Sequence, residues 1–274
     1  MPFVESDGIR FHYALSDTEG PLVVFQHGLG GDLSQPQAIL GGSALLRTLS
    51  FDCRGHGCTE PLGPLERLTF SAFADDLRAV LDSLGFDRAI IGGISMGAGV
   101  ALNFAIRHPA RVTALILSRP AWLDAAYPPN LKILVSICRN LKEGGPEYTR
   151  KRLVADPEFE RIQSISRDNA ASVLRQLERP NLDAMIALLE RLPGDAPSPT
   201  VEAWRQVRVP TLLLVNAMDA LHPIEYGERL AREIPGAKLV EVTPKEVDPV
   251  SHGRDALKAI EDFVTTTSFE SGKL

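Results

Sequence analysis

Apolar runs bounded by turn residues recur along the chain: LVVFQ at 22–26, LLRTLSFD at 45–52, AIIGG at 89–93, VTALILS at 112–118, TLLLVN at 211–216 and KLVEV at 238–242. Runs this short and this continuously apolar predict parallel strands buried on both faces. Between them, FADDLRAVLDSLG at 73–85 spaces Phe73, Leu77, Val80, Leu81 and Leu84 three and four apart, which predicts an amphipathic helix closed by Gly85. The stretches 227–236 and 254–264 repeat that pattern, and an N-terminal strand pattern includes His12. The alternation predicts the α/β class, with a mostly parallel, doubly wound sheet.

The rhythm stops after Trp122. From there to Val209 helical patterns follow one another, and prolines mark the ends of the region, at Pro128 and Pro129 and within PGDAPSP at 193–199. The predicted organisation is a core of residues 1–121 and 207–274, with a helical cap of residues 122–206 inserted over the strand ends. The polar, aperiodic stretch 265–274 is expected to fray.

Composition narrows the function more than the fold. A chain of 274 residues with 44% hydrophobic and 23% charged content can bury a full core. Its formal net charge of −6 disfavours nucleic acid and anionic membranes as partners. With no basic, apolar leader and no bilayer-length run, the expected location is cytoplasmic. Cys53, Cys58 and Cys138 form neither an even disulfide set nor a metal-type cluster and are read as reduced bystanders; no metal and no organic cofactor is implied by the serine chemistry set out below. Oligomeric state is not readable from the pattern.

The candidate chemistry begins at Gly93-Ile94-Ser95-Met96-Gly97, a G-x-S-x-G stretch between a predicted strand and a predicted helix. A serine at such a strained turn needs small residues two positions to either side, and the helix N-terminus behind it offers unpaired N–H groups. A phosphate cradle is the competing reading. GAGVAL lacks the third glycine of a dinucleotide fingerprint, and no Gly-Lys-Ser/Thr follows. After the strand LVVFQ, the loop QHGLGGD brings backbone close to the serine, and the N–H groups of Leu29 and Met96 are the expected oxyanion donors. His27 is expected to be structural, and Asp52, Arg54 and His56 to form a polar knot bracing the loops.

A serine hydroxyl needs a base and an acid that orients the base. Of His12, His27, His56, His108, His222 and His252, the expected base is His252, read as lying in a loop between the last strand and the last helix. Asp219, just beyond the strand TLLLVN, is the expected acid, with Asp124 the alternative and Asp248 a third candidate better read as a solvated charge. The order Ser95, Asp219, His252 is the one a nucleophile elbow on a doubly wound sheet requires.

Taken together, HGLGG, DCRGHG, GISMGA, the D-x-x-x-P at Asp219 and the late His252 resemble the α/β-hydrolase superfamily, across nearly the whole chain. The resemblance implies Ser95 as nucleophile, His252 as base, Asp219 as acid, Leu29 and Met96 as oxyanion donors, and a small-molecule ester or lactone as substrate. Its nearer branches include enol-lactonase-like hydrolases, small esterases and the carbon–carbon bond hydrolases of aromatic degradation; a diketone-like substrate is therefore an alternative, as is a non-catalytic ligand-binding protein. The segment TPKEVDPVSH departs from the family pattern by being longer and more charged. In the cap, Trp122, Tyr127, Ile137, Leu141, Tyr148, Met185 and Leu188 are candidates to line a substrate pocket. Those at helical spacing, such as Ile137 and Leu188, compete with the simpler reading that they pack the cap's own core.

Overall fold

The computed structural model describes residues 2–271. Eight strands, β1 (Phe3–Ser6), β2 (Ile9–Leu15), β3 (Leu22–Gln26), β4 (Arg47–Phe51), β5 (Ala89–Ile94), β6 (Val112–Ser118), β7 (Thr211–Val215) and β8 (Lys238–Glu241), form one sheet in the order β1-β2-β4-β3-β5-β6-β7-β8. The first two pairings, β1 with β2 and β2 with β4, are antiparallel; every pairing from β4 to β8 is parallel. The six runs read as strands are β3 to β8, with ends that differ by at most two residues at either side.

Helices α1 (Ser34–Leu40), α2 (Phe70–Ser83) and α3 (Met96–Arg107) precede β6, while α9 (Ile224–Glu233) and α10 (Pro249–Ser271) follow β7 and β8. Between β6 and β7 the elements are helical: α4 (Lys132–Val154), broken at Gly145–Pro146, then α5 (Pro157–Ile165), α6 (Arg167–Arg175), α7 (Leu182–Arg191) and α8 (Val201–Trp204), with short 3-10 turns between.

Strands β3 to β7 read as continuous apolar runs because both faces are covered, whereas β8, at the sheet edge and expected to be buried on both faces, is largely exposed. Val23, Phe25, Ile90, Ile116, Leu212 and Leu214 share one buried cluster with Leu40 of α1 and Ile260, Phe263 and Val264 of α10. Their alternates Val24, Ile91, Leu115, Leu117 and Leu213 belong to a second cluster with α2, α3 and the helices between β6 and β7. The period-two alternation is intact but invisible in a hydropathy pattern, since both phases are buried.

Helix ends follow local chemistry. At the end of α2 the Gly85 N–H donates to Asp82 O at 3.1 Å and the Phe86 N–H to Leu81 O at 2.9 Å, with Gly85 at φ +74°. This is the paired C-terminal bonding that a left-handed glycine permits. Asp248 governs the start of α10: its Oδ1 accepts from Val250 N at 3.0 Å and Ser251 N at 3.2 Å, with Pro249 at the first helical position. The helix thus begins five residues before the apolar period does, and Asp248 is a cap instead of a solvated charge. At the other end, α10 continues to Ser271 where fraying was expected; residues 272–274 of that stretch lie outside the described residues. No helix among the described residues is long and apolar enough to cross a membrane.

Candidate active site

The C-terminal ends of β3, β5, β6 and β7 converge on Ser95. Directly after β5, Ser95 takes φ 57° and ψ −112°, and it precedes the first residue of α3. That backbone is strained for a residue with a side chain, and its neighbours enforce it. The Ser95 N–H donates to Ser118 O at 3.0 Å, and the Ser95 carbonyl accepts from Ala98 N at 3.1 Å and Gly99 N at 3.2 Å. A Cβ on Gly93 would lie 2.4 Å from the Gly97 carbonyl carbon, and one on Gly97 would lie 2.4 Å from Gln26 O. Strand, turn and helix approach one another more closely than a methyl group allows.

The loop after β3 is held from two sides. His27 is buried, its Nδ1 donating to Gly28 O at 2.8 Å while its Nε2 accepts from Cys53 N at 2.9 Å. With both ring nitrogens engaged, and burial lowering its pKa, it braces the loop as expected. The Gly28 N–H donates to Gln35 Oε1 at 2.6 Å. The N–H groups of Leu29, in the loop after β3, and of Met96, at the N-terminus of α3, donate to no acceptor among the described residues.

The expected polar knot is dispersed into separate braces. Asp52 accepts from His12 Nδ1 at 2.7 Å, Leu33 N at 2.7 Å and Cys58 N at 2.8 Å. Arg54 instead pairs with Asp76 of α2, through Nη2 at 2.7 Å and Nε at 3.1 Å, and His56 Nδ1 lies 3.0 Å from Arg54 O. His12, Asp52 and Cys58 also bring potential metal-ligand atoms within 4.8 Å of one another. Both Asp52 oxygens already accept hydrogen bonds there, so the group reads as a loop brace.

Asp219 and His222 share the loop after β7. The Asp219 Oδ1 accepts from His222 N at 3.1 Å and Leu221 N at 3.3 Å, so the chain curls around its own carboxylate. His222 Nδ1 then lies 2.8 Å from that same Oδ1, and its Nε2 lies 2.9 Å from Ser95 Oγ. With Nδ1 donating to the carboxylate, Nε2 is left as an acceptor for the serine proton. Asn169 of α6 braces the loop by accepting from Ala220 N at 2.7 Å, and Asn130 Nδ2 donates to Leu221 O at 2.6 Å.

A fourth charged group enters from the end of β6. Arg119, at φ +49°, puts Nη2 at 2.6 Å and Nε at 2.8 Å from Asp219 Oδ2, while its Nη2 stands 3.2 Å from His222 Nδ1. The latter are two donors facing each other once Nδ1 is committed to Asp219, so that contact is repulsive. Burial by itself would raise the Asp219 carboxyl, but Arg119 and His222 together hold it well below the usual carboxylate range. For His222, burial lowers the pKa and Arg119 adds to the fall, against the opposing pull of Asp219. The net fall favours the neutral imidazole, the form that accepts a proton from Ser95.

The structure places His252 elsewhere than the sequence reading does. Because Asp248 starts α10 early, His252 lies in the first turn of that helix, buried, with Nδ1 at 2.9 Å from Thr243 O. It hydrogen-bonds neither Ser95 nor Asp219, and the histidine within reach of the serine is His222. The alternative acid Asp124 forms a two-point pair with Arg229, at 2.7 and 2.9 Å, away from the serine. In the loop after β8 the side chain that reaches the cleft is Lys245, whose Nζ lies 3.0 Å from Asp168 Oδ1. Next to it, Glu246 accepts from Asp168 N at 3.0 Å and Ser166 Oγ at 3.1 Å, tying that loop to the start of α6.

A cleft of about 680 Å³, measured to its open mouth, lies over Ser95 and His222. Trp122 is the member of the expected pocket set that lines it. Ile137, Leu141, Met185 and Leu188 are buried where α4 packs on α7, and Tyr127 and Tyr148 are 64% and 37% exposed. The face the sequence reading missed belongs to α6 and the turn after it, where Asp168, Asn169, Ser172, Val173 and Gln176 recur at helical spacing along the cleft. From sequence this stretch is given no role, because polar residues at helical spacing carry no mark that separates a cleft wall from a solvated face.

Residues 21–246 match the family described as alpha/beta hydrolase fold. The pimeloyl-[acyl-carrier protein] methyl ester esterase of Aromatoleum aromaticum is 32% identical over 221 residues, covering 77% of this chain and 84% of that protein. A dihydrolipoyllysine-residue acetyltransferase component of an acetoin cleaving system, from Cupriavidus necator, is 35% identical over 119 residues, or 43% of this chain; the chain spans only 31% of that relative's length. Among solved structures, the enol-lactonase from Burkholderia xenovorans LB400 superposes with a TM-score of 0.75 at 22% identity, covering 96% of this chain and 100% of that one.

Proposed function

The chain belongs to the alpha/beta hydrolase fold family, and from that premise we propose that it hydrolyses a carboxylic ester or lactone of a small molecule through an acyl-serine on Ser95. The observation that carries this reading is the relay from Ser95 Oγ to His222 Nε2 at 2.9 Å and from His222 Nδ1 to Asp219 Oδ1 at 2.8 Å. The base in this proposal is His222 and the acid Asp219. The methyl ester esterase among the relatives supports ester chemistry.

Ser95 Oγ attacks the carbonyl carbon while its proton passes to His222 Nε2, and the carbonyl π electrons move onto oxygen. The free N–H groups of Leu29 and Met96 receive that oxyanion. Collapse expels the alkoxide, which takes the proton from Nε2; water then attacks the acyl-serine, giving a proton to His222 that returns to Ser95 as the acid leaves. Asp219 stays ionised throughout and fixes the imidazole tautomer.

A fluorophosphonate probe followed by peptide mass spectrometry tests the assignment. Ser95 should be modified in wild type and in His252→Ala, and modification should be lost or slowed by orders of magnitude in His222→Ala. Folded wild-type protein with Ser95 unmodified would overturn the mechanism.

A further inference from the structure

The cleft above Ser95 carries a surplus of positive charge although the chain has a formal net charge of −6. Besides His222, its charged lining residues are Arg119, Asp168, Arg175 and Lys245. Arg119 is neutralised by Asp219 at 2.6 Å, and Lys245 by Asp168 at 3.0 Å. Arg175, the last residue of α6, has no carboxylate at ion-pair distance among the described residues. Glu178, the acid nearest it in sequence, is taken by Arg150 at 2.9 Å, and the next cation along, Arg179, feels Arg175 as a like charge.

The rest of the lining is divided. Trp122, Leu131, Leu134 and Leu221 make an apolar side, while α6 contributes Ser172 and Gln176 beside Arg175. The Ser172 hydroxyl hydrogen-bonds nothing among the described residues, and Gln176 Oε1, on a residue 5% exposed, is likewise without a partner. A wholly apolar substrate filling this cleft would strip water from these groups and return no hydrogen bond. A guanidinium fork left free beside a hydroxyl matches a planar carboxylate.

We infer that the substrate carries a free carboxylate remote from the scissile carbonyl, held on the α6 wall by Arg175 with Ser172 beside it, while its carbon chain lies against Trp122 and Leu134. For the reaction, this rests on the ester-hydrolase reading above; for the binding, it stands on the charge and polarity of the cleft. Arg175 is at the open mouth, so the attraction is partly screened and falls with ionic strength.

The experiment compares monomethyl esters of straight-chain dicarboxylic acids with methyl esters of the corresponding monocarboxylic acids. Wild type should favour the anionic series by about tenfold or more in kcat/KM, the scale of one charge-assisted hydrogen bond, and added salt should erode the preference. In Arg175→Gln the anionic esters should lose about that factor, mainly through KM, and the neutral esters far less; Arg175→Lys should recover part of the loss. Calorimetric binding of the same two series to Ser95→Ala reads the preference without turnover, which separates failure of this inference from failure of the hydrolase reading. Equal treatment of the two series by wild type, or a preference that survives Arg175→Gln, would overturn it.

Discussion

The loops after β7 and β8 leave the same sheet edge and have divided their work unequally. The first, eight residues from Asn216 to Pro223, brings both Asp219 and His222 to Ser95. The second contributes no group to that relay and instead holds the start of α6, through Lys245 to Asp168 and Glu246 to Ser166. In the proposed mechanism, the difference teaches that a base need not come from a separate segment when acid and base stand three residues apart on a loop that curls around the carboxylate.

The largest expected effect breaks that comparison directly. His222→Ala should lower kcat by about 10⁵-fold or more, the scale of losing a triad base, whereas His252→Ala should cost less than about tenfold; the reverse ranking in steady-state kinetics would return the base to α10. Asp219→Asn should follow, at about 10⁴-fold, with unchanged circular dichroism, because the wrong tautomer then faces Ser95.

A pH–rate profile sharpens the picture next. The proposed mechanism needs neutral His222, whose pKa burial and Arg119 push below the ordinary value of 6.5. Activity should therefore be complete at pH 7 and fall only as pH drops through that lowered value. Replacing Arg119 with Gln removes one cause of the lowering, so the acid limb of kcat/KM should move to higher pH, and Arg119→Lys should move it less. An acid limb that stays in place would assign Arg119 a purely structural role. The smallest effect belongs to the other loop: Glu246→Ala should change KM by only a few-fold and leave the pH profile in place, since it alters how α6 is held.

Much of this was legible in the chain. The runs 22–26 and 112–118 match β3 and β6 end to end, and the crowding at Gly93 and Gly97 that identifies the elbow is a local steric requirement. The position of the proposed base was not legible by the same reasoning. His252 precedes the apolar period beginning at 254 and so reads as a loop residue, but the cap formed by Asp248 and Pro249, which draws the helix start back to 249, outranks that period. His222 did leave a signal: a histidine three residues after the candidate acid and immediately before Pro223 can fold its Nδ1 onto that carboxylate. The cleft lining was hidden for a different reason. Spacing predicts that Ile137 and Leu188 are buried, yet it does not say against what, and it cannot tell a polar helix face that lines a cleft from one that meets bulk water.

The shared loop of Asp219 and His222 makes the acid–base pair a single moving part. Breathing between β5 and β7, which lie on either side of β6, would carry both groups away from Ser95 together and leave their mutual hydrogen bond intact. Misalignment of the sheet edge would then resemble a disengaged clutch, with an intact pair transmitting nothing to the nucleophile.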